Sequence, residues 1–303
     1  MDHEPSTSPD LPVSDLPGGD LPVGDGAPGR IVLAATPIGN TGDASARLLE
    51  LLTTADIVAA EDTRRLHRLV QNLGITVAGR IISYHEHNEA AKTADLLEQV
   101  RAGKTLVMVT DAGMPSVSDP GFRLVEGAVA AGLTVTAAPG PSAVLTALAL
   151  SGLPTDRFCF EGFLPRKAGE RTSRLADLDA ERRTMVFFEA PHRLEPMLRA
   201  LHDRFGADRR AAVCRELTKT YEQVIRGTLR ELLEWAESNE VRGEIAVVVG
   251  GAPEREPGRP EDHVAAVNRL IAQGVRLKEA VAAVAEDTKV SKRELYSAVL
   301  AAR

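Results

Sequence analysis

The sequence predicts an α/β protein with two α/β domains, the first on a mainly parallel sheet and the second on a mixed sheet, followed by a small C-terminal helical segment. Three observations predict this. At 303 residues the chain exceeds the size at which a single hydrophobic core stops growing. From Arg30, short apolar runs without polar alternation are separated by helical stretches, the pattern of a parallel sheet covered on both faces. After Gly152 strands begin to follow one another with fewer helices between them, and the last fifty residues are helical in pattern.

Taken in order, residues 1–29 repeat DLPxxD at Asp10, Asp15 and Asp20 among Pro, Gly and Ser. Such a segment has too little apolar surface to offset its ordering entropy, so a disordered acidic tail is expected. It holds six of the 43 acids and no Lys or Arg, leaving 37 acids against 36 bases in the body. The net charge of −7 therefore does not exclude an anionic partner. No apolar run approaches the roughly 18 residues of a membrane span, and the start lacks a basic-then-apolar leader, so the reading is cytosolic. Cys159 and Cys214 sit in apolar runs and read as buried thiols.

The first domain, residues 30–152, reads as IVLAA (31–35), DIVAA (56–60), RIISY (80–84), TLVMV (105–109) and LTVTAA (133–138), each leading through a loop into a helix. Ligands of such sheets bind beyond the strand carboxyl ends. That edge receives 36–40, 61–64, 110–119 and 139–143. In the first loop Pro37 fixes φ and Gly39 lets the backbone come close to a guest. In DAGMPSVSDPG (111–121), Gly113, Pro115, Pro120 and Gly121 shape a long turn whose Asp111, Ser116, Ser118 and Asp119 can hydrogen-bond a polar zwitterion. Asp119 has a second reading as an N-cap of the following helix. Ser142 stands at a helix start, where free amides suit a carboxylate.

The second domain, residues 153–252, opens with a basic, loop-like entry at 163–175 and offers four strands: TMVFF (184–188), AAVCR (211–215), YEQVIRG (221–227) and EIAVVVGG (244–251). Glu189, His192 and Arg193 lie just past the first, and Arg215, Glu216 and Lys219 past the second, which marks a polar cleft or, equally, an Arg–Glu pair and helix caps. Residues 253–303 are a charged, Pro-rich linker and two or three helices, the last opened by Ser291-x-x-Glu294. The stretch 277–300 admits both a helix-turn-helix and a plain hairpin, with Lys289, Lys292 and Arg293 available to RNA.

Several chemistries lack their residues. There is no GxxxxGK[ST] and no GxGxxG, so neither phosphate fingerprint is present. No Cys/His spacing matches a zinc site, and His85-Glu86-His87 reads as a solvated helix start, so no metal is expected.

The motifs TPIGN (36–40), EDTR (61–64), SYHEHNE (83–89), DAGMPSVSDPG, PGPSA (139–143), FFEAPHR (187–193), RELTK (215–219) and GEIAVV (243–248) run in unbroken order. Together they resemble the ribosomal RNA small subunit methyltransferase I family, in the tetrapyrrole-methylase (class III) group of S-adenosylmethionine enzymes. The resemblance covers about residues 30–252. It implies an S-adenosyl-L-methionine site in the cleft between the two domains, a homodimer, and methylation of a cytidine ribose 2'-hydroxyl in the decoding region of 16S rRNA, free or in the assembled 30S subunit. The implied donor site comprises Pro37, Gly39, Asp111, Ala112, Gly113, Pro115, Ser116, Val117, Ser118, Ser142 and Ala143, with Phe188, Arg215, Gly243, Glu244 and Ile245 from the second domain. Relatives that methylate tetrapyrroles usually carry GDP where this chain has Gly113-Met114-Pro115, so the aspartate's role is not transferred to Met114.

A ribose hydroxyl is a poor nucleophile until its proton is drawn off, which makes Glu189, His192 and Lys219 candidates to take or orient that proton and Arg193 to place a phosphate. Phosphate contacts are expected from Arg64, Arg65, His67 and Arg68, and from Arg166, Lys167, Arg171 and Arg174. Aromatics at 4 % disfavour a base-stacking platform. Two other readings compete: a tetrapyrrole methyltransferase, and a non-catalytic ligand-sensing regulator that puts its last helices on DNA.

Overall fold

The computed structural model describes residues 29–253 and 258–302. The acidic-tail expectation, apart from Gly29, lies outside the described residues. Gly29 itself is buried, with no room for a side chain beneath the Lys104 carbonyl. Residue contacts divide the chain into two compact units, Met1–Thr146 with Leu217–Thr220, and Ala147–Glu216 with Tyr221–Arg303. The division falls inside a helix rather than after Gly152, and the short loop 217–220 joins the first unit.

In the first unit, β1 (Arg30–Ala34), β2 (Ile57–Ala60), β3 (Arg80–Ser83), β4 (Thr105–Val109) and β5 (Thr134–Ala138) form a five-stranded sheet in the order β3-β2-β4-β1-β5. Every pairing is parallel. Between the strands run α1 (Ala46–Thr54), α2 (Thr63–Leu73), α3 (Glu89–Arg101) and α4 (Phe122–Ala130), and α5 (Ala143–Ser151) follows β5. The period-two geometry of a strand splits its side chains between two cores. Val32, Ala34, Val58, Ala60, Val107 and Val109 pack with Leu48 and Leu52 of α1 on one face. Ile31, Ile57, Ala59, Leu106 and Met108 pack with Leu96 of α3 and Leu124 of α4 on the other. With both faces covered, the strands read as continuous apolar runs, which is why they were legible without alternation.

The connection from β1 runs toward β2 on one side and that from β4 toward β5 on the other, so β1 and β4 are neighbours whose chains depart in opposite directions. Such a point opens a crevice beyond the strand ends.

In the second unit, β6 (Phe158–Phe163), β7 (Thr184–Glu189), β8 (Arg210–Arg215), β9 (Gln223–Thr228) and β10 (Ile245–Val249) take the order β6-β7-β10-β8-β9. Only β6 and β7 are parallel, so the sheet is mixed. Its helices are α6 (Ala168–Asp177), α7 (Leu194–Phe205) and α8 (Leu229–Ser238), whose Leu198, Leu201, Leu229 and Leu232 pack on Phe187, Val213 and Val247. Two expectations change here. The sheet has a fifth strand, FCFEGF (158–163), read earlier only as apolar surroundings for Cys159. The basic entry at 163–175 is largely helix α6, whose Leu175 is buried while its charges remain outside.

The chain closes with α9 (Val264–Ala272), α10 (Leu277–Thr288) and α11 (Lys292–Ala301) around their own core of Val267, Val281, Leu295 and Val299. Ser291 caps α11 through the amide of Glu294. No described helix is long and apolar enough to cross a membrane.

Candidate functional site

The loops after β1 and β4 meet as the switch point requires. Thr36 and Gly113 exchange two backbone hydrogen bonds, at 2.9 and 3.0 Å, and the Thr36 hydroxyl donates to the Thr110 carbonyl at 3.1 Å. Gly113 has φ +85°, open to glycine at little cost. Ser116 and Ser118 also sit at positive φ, 71° and 60°, in a turn closed by the Ser116 amide on the Pro120 carbonyl. Side-chain-bearing residues adopt that conformation at a cost of about 1 kcal/mol or more each, so the loop is held in shape by its surroundings. Ser116 Oγ is buried with no hydrogen-bond partner, while Val117 is exposed. An unsatisfied hydroxyl beside an exposed apolar residue suits a ligand with both polar and flat apolar parts.

The TPIGN turn is covered by the 217–220 loop. A Cβ on Gly39 would lie 2.7 Å from Thr218 Oγ1 and 2.9 Å from the Leu217 carbonyl, and the Asn40 amide donates to Thr218 Oγ1 at 3.1 Å. Lys219 belongs to this wall, its Cγ beside Gly39. Of the four residues assigned to proton and phosphate chemistry, it alone falls in the first unit. At the remaining edge Ser142 precedes α5, its hydroxyl 3.5 Å from the Leu145 amide.

A group of carboxylates beside this crevice was not read as a unit from the sequence. Asp111 accepts from the Asp62 amide at 3.2 Å and pairs with Arg65 Nε at 3.3 Å, while its own amide donates to Glu61 at 3.3 Å. Burial pushes the carboxyls of Glu61 and Asp111 upward, each partly held back by the Arg65 charge. Asp119 is pushed to about 7 by burial and then by the charges of Glu61 and Asp111, with partial relief from the Thr110 hydroxyl. A cavity of about 40 Å³ between Thr36, Glu61, Arg65, Thr110 and Asp111 is sized for water rather than for a nucleoside. Asp119 does not cap a helix: α4 starts from Gly121 with no side-chain cap. The signal available in sequence was the acid pair Glu61-Asp62 at a strand end opposite Asp111.

In the second unit the assigned residues share one sheet edge. Ile245 is in register with Glu189 on one side and Arg215 on the other. Glu189 is 3 % exposed and pairs with Arg193 Nε at 3.2 Å, and Arg193 also donates to the Leu164 carbonyl at 2.7 Å. These two side chains thus hold each other, whereas His192 is exposed. Arg215 bonds Gln223 at 2.9 Å, and a Glu216 oxygen takes the Glu244 amide at 2.9 Å. Gly243, at φ +92°, leaves room for the Glu216 side chain. Phe188 stacks edge-on against Phe160, centroids 4.9 Å apart. The wide cavity of this unit, about 1180 Å³, lies at the opposite edge, among Thr184, Arg210 and Gly250, and contains none of the assigned residues.

Of the basic residues, Arg64 pairs with Asp62 at 2.7 Å yet stays largely exposed, Arg65 is engaged by Asp111, and Lys167 pairs with Glu170. Arg68, Arg166 and Arg171 make no side-chain pair among the described residues. No described group of His, Cys, Asp and Glu has a metal-holding arrangement. Both cysteines are free, and burial raises their thiols to about 11.

The family model for tetrapyrrole (corrin/porphyrin) methylases matches residues 30–233, and that for the RsmI C-terminal HTH domain matches 258–303. A protein of Mycobacterium tuberculosis named ribosomal RNA small subunit methyltransferase I is 50 % identical over 276 residues, 91 % of this chain and 96 % of that protein. The chain belongs to the ribosomal RNA small subunit methyltransferase I family. A member from Escherichia coli O157:H7 is 40 % identical over 91 % of this chain and 96 % of its own. Solved structures share the methylase fold at greater distance. A cobalt precorrin-4 methyltransferase gives a TM-score of 0.54 at 18 % identity, covering 73 % of this chain and 94 % of that one. A diphthine synthase gives 0.55 at 16 %, covering 73 % and 89 %. A uroporphyrin-III C-methyltransferase from Thermus thermophilus, complexed with S-adenosylhomocysteine, gives 0.52 at 18 %, covering 73 % and 96 %.

Proposed function

We propose that this protein transfers a methyl group from S-adenosyl-L-methionine to the ribose 2'-hydroxyl of a cytidine in the decoding region of small-subunit (16S) rRNA. The observation that carries the reading is the near full-length identity to proteins named for small-subunit rRNA methylation. The demethylated donor in the Thermus structure supports S-adenosyl-L-methionine as cofactor. So does the glycine pattern at the strand ends: Gly39 is exposed there, and Gly113 takes the φ of +85° that brings its backbone against that of Thr36. Homodimerisation and a cytoplasmic location belong to the same proposal.

When bound, the sulfonium donor supplies an electrophilic methyl, so that a C–O bond forms as the C–S bond breaks and the hydroxyl proton is left over. The chain must align the reactants and take up that proton, for which a metal is not needed. Pro37, Gly39, Asp111, Ala112, Gly113, Pro115, Ser116, Val117, Ser118, Ser142 and Ala143 form the donor wall in this proposal, and Phe188, Arg215 and Gly243 to Ile245 supply further contacts. In this proposal Asp111 orients the loop or accepts a hydrogen bond from the donor's ammonium. His192 and Lys219 are the proton-handling candidates with polar ends outside the Glu189–Arg193 pair, which we assign to holding the end of β7. Arg64, Arg68, Arg166, Lys167 and Arg171 contact phosphates.

A tetrapyrrole methyltransferase would share the fold but have no use for the helices after residue 258. A DNA-binding regulator would bind the donor without consuming it. Labelled donor incubated with purified small subunits, naked rRNA and a porphyrin precursor distinguishes these. Label in a cytidine ribose is expected; label in the porphyrin, in a base, or nowhere rejects the proposal.

A further inference from the structure

The donor crevice absorbs most of the sequence motifs, but one charged concavity lies outside it. Near the starts of α10 and α11, Lys278, Lys292, Arg293, Tyr296 and Ser297 line a shallow depression of about 480 Å³. No carboxylate lines it. The three cations are exposed, and none makes an ion pair or side-chain hydrogen bond among the described residues. Arg64, Arg174 and Arg199 are tied to the nearby acids Asp62, Glu161 and Glu237, whereas the three cations of this hollow converge on it with no acid beside them.

Their placement also costs stability. Each stands in the first turn of its helix, where the backbone dipole favours anions. The acids of the same turns, Glu279 and Glu294, are not part of the hollow's lining. A bound polyanion removes this frustration. The platform is rigid enough to use it, because Leu295, Val299, Val281 and Ala280 beneath the hollow are fully or nearly buried. The two helices are joined by only three residues, 289–291, so the cations of both are held in fixed register.

We propose that this α10–α11 hollow is an rRNA docking site, separate from the donor crevice, that holds the phosphates of a non-helical RNA segment with one base against the Tyr296 ring. A depression with one aromatic ring and three point charges suits splayed single-stranded RNA; the deep, narrow major groove of an RNA duplex would not admit α11. Neutralising about three phosphates of a single strand contributes about 2 to the slope of log affinity against log salt. The inference rests on rRNA being the substrate.

The full-length triple variant Lys278→Glu/Lys292→Glu/Arg293→Glu tests it, with the milder Lys278→Ala/Lys292→Ala/Arg293→Ala beside it and thermal melting to confirm folding. Affinity for fluorescent small-subunit rRNA fragments is measured against salt, together with KM and kcat for methyl transfer to naked rRNA and to purified subunits. The expected result is a loss of RNA affinity and a rise in KM of at least tenfold, a salt slope smaller by about 2, and kcat and donor affinity within twofold of the parent. RNA affinity within twofold of the parent overturns the inference. So does a loss confined to assembled subunits, which assigns the hollow to a ribosomal protein. If the parent binds RNA through this hollow yet methylates nothing, the docking inference stands and the catalytic reading fails.

Discussion

Replacing Asp119 with Asn removes a titrating group without changing the shape of its side chain. The Asp119 carboxyl moves from 3.8 to about 7 on folding because it is buried near Glu61 and Asp111. The folded state therefore binds this proton more tightly than the unfolded chain does. Its contribution to stability is fully present below pH 3.8 and is lost as pH rises toward 7, since the unfolded chain ionises there and the folded one resists. A shift of that size corresponds to about 4 kcal/mol at 1.36 kcal/mol per pH unit. The carboxyl is partly open to water, and screening reduces the figure to about 1–2 kcal/mol. The Asn variant should thus gain about 1–2 kcal/mol relative to the parent between pH 5 and pH 8, as read from urea unfolding at both pH values. A parent–variant difference that is the same at the two pH values refutes the reasoning, and a carboxyl resonance of Asp119 titrating near 4 does so independently.

Gly39→Val places carbons against Thr218 and the Leu217 carbonyl; donor affinity by calorimetry should fall at least tenfold, with a stability loss of about 1–3 kcal/mol. A bulky residue at Gly113 meets only ordinary contacts at 3.6 Å and beyond but is forced to φ +85°, so donor binding should be lost while the fold survives. Arg193→Ala leaves the Glu189 carboxyl buried without its partner, and unfolding free energy should drop by about 3–5 kcal/mol, whereas Glu189→Gln with Arg193→Met should recover much of it. Leu295→Ala empties part of the C-terminal helical core and should cost about 2–5 kcal/mol there, leaving donor affinity unchanged.

The first sheet was legible because each buried strand is a continuous apolar run such as Val107–Val109, and each glycine- or proline-bearing loop begins where the run stops. The loops at that edge were legible for a related reason: Gly39 has no room for a Cβ beside the 217–220 loop and Gly113 sits at φ +85°, both positions that favour glycine. The strand at Phe158–Phe163 escaped because its residues are only partly covered and its Glu161 and Gly162 interrupt the apolar pattern. Helix α6 escaped because its charges hide a single buried leucine, Leu175.

What the sequence determined alone is local: which segments are strands, where the chain must turn, and which side chains bring charge. Which charges oppose one another was decided by tertiary structure. Glu189 and Arg193 carry chemistry in the sequence but hold each other in the fold. Asp119, which reads as a helix cap, becomes a carboxyl that titrates near neutrality because Glu61 and Asp111, distant in sequence or across a turn, are brought near it. The sequence fixes a residue's intrinsic proton affinity; the dielectric and neighbouring charges that shift it arise only when the strands are laid side by side.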